Sequence, residues 1–232
     1  MRMFSDRVAA GRALARRLRG LRRSGGVVLG VPRGGVPVAF EMAKALRLPL
    51  DVIVVRKVGV PGDPELAMGA VGEDGVAVVN ADVVAAAHVT ASEFASAQRR
   101  ARNEVSERAH KLRDGWDRVV LQGRTVILVD DGAATGATAR AACQIARKLG
   151  AGRVMVALPV GSNEAVDILR ATADEVVCLA RPQPFLSVGY YYDDFSPVTD
   201  VDVVRLLISH AGSGLPRYAS SSATGGAARP RP

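Results

Sequence analysis

Two adjacent carboxylates, Asp130 and Asp131, close the apolar run Val126-Ile127-Leu128-Val129 and open a turn of small residues, Gly132-Ala133-Ala134-Thr135-Gly136-Ala137-Thr138. The run reads as a buried strand and the residues beyond the turn as a helix. The pair therefore sits at the C-terminal end of a strand, where open α/β sheets bind ligands. Small side chains let a ligand come close to the backbone. The amides of Ala134 to Thr138, at a helix N-terminus, can receive an anion, and the hydroxyls of Thr135 and Thr138 add donors. Donors for a phosphate thus lie beside acceptors for hydroxyl groups, and a phosphorylated sugar needs both. The chain has no G-x-x-x-x-G-K-S/T run and no G-x-G-x-x-G after a strand, which removes two common nucleotide-binding loops.

The segment Val126 to Thr138 resembles the PRPP-binding signature of the type I phosphoribosyltransferases, PRPP being phosphoribosyl pyrophosphate. The resemblance implies that Asp130 and Asp131 contact the ribose hydroxyls. It implies also that Ala134, Thr135, Gly136, Ala137 and Thr138 cradle the 5-phosphate. Relatives carry bulky aliphatic residues at the positions of Gly132 and Ala133, against the base. Two small residues there leave that wall open, which makes ordinary bases poor acceptors by expectation.

Three further segments take meaning from the same resemblance. Gly30-Val31-Pro32-Arg33-Gly34-Gly35 resembles the pyrophosphate loop, with charge from Arg33 and backbone freedom from Gly34 and Gly35. The basic pair Arg56-Lys57 falls where a family residue reaches the pyrophosphate. Residues 58–67 fall where the family carries a mobile flap, and Glu65 is the proton-handling candidate in it. Arg33, Lys57 and Glu65 are the implied catalytic groups. The run Tyr190-Tyr191-Tyr192-Asp193-Asp194-Phe195 lies in the region of the family's hood, so Tyr190, Tyr192 and Phe195 join Gly132 and Ala133 as acceptor-pocket residues. Each segment also has a reading without chemistry: a Gly-Gly turn, a solvated basic pair, a surface acid, and an aromatic segment packed on the core.

The implied reaction is displacement of pyrophosphate from C1 of PRPP by a nitrogenous acceptor. The implied cofactor is Mg²⁺, bound through PRPP and water, with Asp130 and Asp131 the nearest carboxylates. The family also implies a homodimer. The runs Gly-Val-Pro-Arg-Gly-Gly and Pro-Glu-Leu-Ala-Met-Gly-Ala-Val look like a bacterial branch of the family rather than a named purine or pyrimidine enzyme. Two rival readings keep the same site: a PRPP-sensing regulator that binds nucleic acid through an Arg-rich N-terminal helix, and a hydrolase in which water is the nucleophile.

The elements that must position these residues follow from periodicity. Phe4, Val8, Leu14, Leu18 and Leu21 recur at helical spacing, with Ser5 as the expected N-cap. Residues 27–31 and 50–55 read as strands around a helix over 37–46. Residues 58–67, rich in Gly and Pro, read as a loop, and Gly72-Glu73-Asp74-Gly75 as a hairpin turn. Thr90-Ala91-Ser92-Glu93 is a capping box that opens an inserted helix over about 90–112. Strands over 154–158 and 175–179 alternate with helices over 139–149 and 164–169. The expected fold is α/β: a mainly parallel central sheet flanked by helices, with a small hood at about 181–198. One domain is expected over 1–210 and a disordered tail over 211–232.

The chain has 232 residues, 48% of them hydrophobic, which suits a globular domain with a sizeable core. Its net charge of +8 is uneven: residues 1–23 carry eight arginines against Asp6, and residues beyond 211 add Arg217, Arg229 and Arg231. A solvated helix face and a tail account for this, and nucleic-acid binding is the other reading. Cys143 and Cys178 match no metal or redox spacing, so buried free thiols and a reducing cytoplasm are expected. No apolar run reaches membrane length.

Overall fold

The computed structural model describes residues 2–113 and 116–212, apart from the side chains of Pro64 and Glu65. Strands β1 (Val27–Gly30), β2 (Leu50–Val52), β6 (Thr125–Val129), β7 (Arg153–Val160) and β8 (Glu175–Ala180) form one sheet in the order β2-β1-β6-β7-β8. Every pairing in it is parallel. Such a sheet is buried on both faces, which is why its strands read as unbroken apolar runs. Alternation divides them: Val28, Ile127, Val129 and Met155 face one core, and Val27, Leu29, Val126 and Leu128 face the other.

The first face is covered by α1 (Arg7–Arg17), α2 (Gly35–Leu46) and α7 (Asp200–Ala211), the second by α5 (Ala137–Lys148) and α6 (Asn163–Arg170). Strand order runs one way from β1 to β2 and the other way from β6 to β8. The reversal falls between β1 and β6, and the turns leaving these two strands open the crevice where such folds take ligands.

The hairpin expected around Gly72–Gly75 is present and belongs to a second sheet, whose first strand was not expected. Strands β3 (Val55–Val60), β4 (Asp63–Gly72) and β5 (Ala77–Val79) form an antiparallel sheet in that order. The loop read over 58–67 is therefore corrected to a hairpin: Val58 and Val60 are buried, and the turn is confined to Pro61 and Gly62, with φ of +85° at Gly62. Gly59 sits at an irregularity in the ladder, where a sequence reading takes it for loop. The strand read over 50–55 is two strands, because the Val54 amide donates to Glu73 Oε1 rather than to the parallel ladder. Helix α3 (Ala81–Ala86) and helix α4 (Ala91–Arg113) follow, and α4 packs across the small sheet. The Thr90–Glu93 capping box is present, with Thr90 N donating to Glu93 Oε2 at 2.9 Å and Glu93 N to Thr90 Oγ1 at 3.2 Å.

A closed buried network pins the small sheet to the large one. Arg113 donates to Asp51 Oδ1 at 2.9 Å, to Val52 O at 2.9 Å, and through two nitrogens to the Glu73 carboxylate. The Val52 amide also donates to Asp51 Oδ1, and the Val119 amide to Oδ2. Cys143 is buried and Cys178 partly so, and burial pushes their thiols up to about 12 and about 11. Among the described residues no helix is long and apolar enough to cross a membrane. The expected tail lies, beyond residue 212, outside the described residues.

Candidate active site

The turn after β6 is held open by its neighbours. Ala133 N donates to Val160 O at 3.0 Å, Ser162 N to Ala133 O at 2.9 Å, and Ser162 Oγ to Ala134 O at 2.6 Å. The same Ser162 caps α6 by accepting from Ala165 N at 2.9 Å. These bonds tie one side of the turn to the end of β7 and the start of α6. The other side faces outward: Ala134, Thr135 and Thr138 are exposed and Ala137 is partly so. Gly136 takes φ of +71°, with Ala165 behind it, so a side chain here would be strained and crowded. Among the described residues, the amides of Ala134, Thr135, Gly136 and Thr138 donate to no protein acceptor. They form a row of free donors at the N-terminus of a 12-residue helix, which is the geometry of an anion site.

Beside this row stand Asp130 and Asp131. The strand end expected for them from the sequence is in place, but a strand end facing a ligand crevice would leave such acids exposed and without an ion pair. That expectation is corrected: both are partly buried, and Asp131 Oδ2 accepts from Arg7 Nε at 2.8 Å, with the two side chains 14% and 11% exposed. Burial, then the neighbouring Asp131 charge, holds the Asp130 carboxyl well above the usual carboxylate range. Burial also raises Asp131, and the Arg7 guanidinium opposes that rise.

Arg7 was not picked out by the sequence. It is one of eight arginines in the first 23 residues, and only the tertiary contact distinguishes it. It sits in the first turn of α1, whose N-cap is Asp6 rather than Ser5, since Asp6 Oδ1 accepts from Ala9 N at 2.7 Å. Its Nη1 donates to Ser196 O at 2.9 Å, and its guanidinium lies 3.8 Å from the Phe195 ring centroid.

The turn after β1 meets this pair. The Pro32–Arg33 peptide is cis, and Gly34 and Gly35 pass directly against Asp131 and Asp130. Glycine is required at both places by close approach. The Arg33 side chain is 51% exposed and points to Asp200 Oδ1 at 3.8 Å, where Lys111 also approaches Oδ2 at 3.1 Å. Arg56 pairs with Glu104 of α4 at 2.8 Å. Lys57 and Thr138 line one cleft of about 630 Å³ between the β3–β4 hairpin, Arg100 of α4 and the phosphate turn. Glu65 lies in β4, and its side chain is outside the described residues.

The hood residues divide. Tyr192 is 2% exposed, and its hydroxyl donates to the Asp131 carbonyl at 2.6 Å, so it braces the turn from within. Burial and the nearby carboxylates push its phenol upward. Phe195 is occupied with Arg7 and with the Tyr192 ring at 5.1 Å. Of the aromatic candidates, Tyr190 keeps an exposed ring. The wall expected to be open at Gly132 and Ala133 is filled: a Cβ on Gly132 would stand 2.6 Å from Val188 Cγ1 and 3.0 Å from Val160, and Ala133 is buried. The hood, from a distant part of the chain, supplies the bulk that the turn lacks.

Comparisons with known proteins agree with this geometry. The profile of the phosphoribosyl transferase domain family matches residues 6–194, which include both turns and the hood through Asp194. Two provisionally named phosphoribosyl transferases, from two strains of Mycobacterium tuberculosis, are each 53% identical over 207 residues, or 89% of this chain. The chain spans about half, 47%, of the length of these curated relatives. The crystal structure of TT1426 from Thermus thermophilus superposes with a TM-score of 0.83 at 47% identity, over 90% of this chain and 99% of that one. A parallel sheet reversing between β1 and β6, a small-residue turn behind paired aspartates, and a profile match over most of the chain lead to one conclusion: the chain belongs to the type I phosphoribosyltransferase family.

Proposed function

We propose that the chain is a magnesium-dependent phosphoribosyltransferase that displaces pyrophosphate from PRPP with a nitrogenous acceptor. The observation that carries this reading is the row of unpaired amides at Ala134, Thr135, Gly136 and Thr138 beside the Asp130–Asp131 pair. A 5-phosphate accepts from the amides and threonine hydroxyls, while the carboxylates accept from ribose hydroxyls. The sugar is then held at both ends, and C1 is kept fixed for an incoming nitrogen.

As the bond between C1 and the pyrophosphate oxygen breaks, the leaving group takes the electron pair and C1 gains oxocarbenium character, as in glycoside chemistry. The charge that builds on pyrophosphate needs donors and cations. The backbone turn at Gly34 and Gly35, with Lys57 from the facing hairpin, is suited to that part. Arg33 contributes only if it leaves Asp200. Among the described residues no group of three potential ligands could cage a metal. Asp130, with the Asp131 oxygen that Arg7 leaves, fits a magnesium ion held mainly by substrate oxygens and water. When bound, that ion neutralises phosphate charge.

The deciding experiment incubates the protein with PRPP, Mg²⁺ and a panel of nitrogenous acceptors and measures pyrophosphate release. Release that depends on one acceptor supports transfer. Release without any acceptor supports hydrolysis. Calorimetric binding of PRPP with no release supports a sensor, and no binding at all overturns the reading of the site.

A further inference from the structure

We propose that Arg7 is a positioning residue of the ribose site: it fixes the Asp131 carboxylate toward the sugar hydroxyls and ties that carboxylate to the segment bearing Phe195 and Ser196. The proposal rests on the PRPP reading of Asp130 and Asp131 and assigns a task to a residue outside both turns.

The guanidinium is held on three sides. Its Nε donates to Asp131 Oδ2 at 2.8 Å, its Nη1 to Ser196 O at 2.9 Å, and its flat face covers the Phe195 ring at 3.8 Å. A surface arginine exchanges rotamers freely. This one is 11% exposed and has a partner in each direction, so its position is determined by the fold. The carboxylate it holds is fixed in turn, because Gly34 passes against the same oxygen, Oδ2. Asp131 is therefore clamped between a cation and a backbone turn, with Oδ2 committed to Arg7.

The platform for Arg7 is built on the same plan. Met3 N and Phe4 N donate to Tyr191 O, Asp193 N to Phe4 O, and Asp194 N to Ser5 O. The segment before α1 thus runs beside residues 191–194 as an added strand-like pairing, with Phe4 against the Tyr192 ring at 5.5 Å. Tyr192 then reaches the Asp131 carbonyl. Two linkages from the hood converge on Asp131, one on its main chain through Tyr192 and one on its side chain through Arg7. Lysine could supply the charge of Arg7, but it has neither the forked donors for two acceptors nor the flat face for Phe195.

The test separates positioning from general support of the fold. Wild-type protein, Arg7→Met and Arg7→Lys are titrated with ribose 5-phosphate and with 2-deoxyribose 5-phosphate. Both sugars carry the phosphate, but one lacks a hydroxyl that the carboxylates would bind. Arg7→Met is expected to weaken ribose 5-phosphate about tenfold, the scale of one charge-assisted hydrogen bond, and to weaken the deoxy sugar, which keeps the 3-hydroxyl and lacks the 2-hydroxyl, clearly less. Arg7→Lys is expected to recover part of the difference. An unchanged ratio of the two affinities in folded Arg7→Met overturns the proposal, as does an equal loss for both sugars. Should Arg7→Met fail to fold, Phe195→Leu, which removes the platform and keeps the ion pair, is read by the same ratio with the same criteria. Wild-type protein that binds neither sugar nor PRPP refutes the PRPP reading itself, an outcome distinct from an unchanged ratio.

Discussion

Gly34 lies directly against the Asp131 carboxylate, so that a methyl group on Gly34 would overlap Oδ2. The first turn of the crevice and the second are thus in contact through a glycine on one side and a clamped carboxylate on the other. Gly34→Ala is expected to cost about 1–3 kcal/mol, the scale of overpacking, and to move Asp131 out of its place. PRPP affinity should fall with it. Denaturant titration and calorimetry on the same variant measure both, and unchanged affinity would show that the carboxylate's place is immaterial.

Asp130 is raised by burial and by its neighbour's charge. From about pH 4, the ordinary carboxylate value, up to its folded pKa, the folded state binds more protons at this site than the unfolded state. This contribution to stability therefore falls as pH rises through that window and is lowest above it. Asp130→Asn removes the effect. The variant is expected to melt higher than wild type at neutral pH, by roughly 2–4 °C per kcal/mol recovered in a chain of this size, and the advantage should vanish below about pH 4. It should also lose PRPP binding. Melting curves across that range check the sign.

The Arg113 network makes the opposite prediction. Arg113→Met leaves Asp51 and Glu73 buried without their cation. A loss of about 3–5 kcal/mol is expected, read from the urea midpoint. The folded fraction should bind PRPP as before, since none of the three side chains belongs to the phosphate turn.

Gly132 tests what closes the pocket wall. Gly132→Leu drives its side chain into Val188 and Val160, an overpacking cost of about 1–3 kcal/mol. Combining it with Val188→Ala is expected to recover much of that cost. Additive losses in the double variant, measured by thermal melting, would place the strain elsewhere.

How far the sequence could be read depended on the range of the interactions. The β6 strand, the small-residue turn after it and the helix that the turn opens were legible because each rests on neighbours along the chain. The same holds for the Thr90–Glu93 cap, and the parallel sheet followed from strands alternating with helices, although its strand order did not. Residues 58–67 were misread because Gly59, Pro61 and Gly62 dominate a local reading, while the burial of Val58 and Val60 that makes the hairpin is tertiary. Asp51 did carry a signal: a lone carboxylate inside an apolar strand implies a buried cation, although nothing nearby names Arg113. Arg7 carried no such mark. Nor did Gly132 reveal that Val188, distant in sequence, occupies the space beside it.

The bond from Arg7 to Ser196 spans 189 positions of the chain. During synthesis Arg7 emerges well before Ser196 and meets it only when nearly all the described domain has been made. A ligand whose ribose hydroxyls need a fixed Asp131 cannot assist the growing chain before then, so earlier folding must proceed without it. Proteolytic nicking or truncation at either end should therefore reach the same carboxylate from opposite directions.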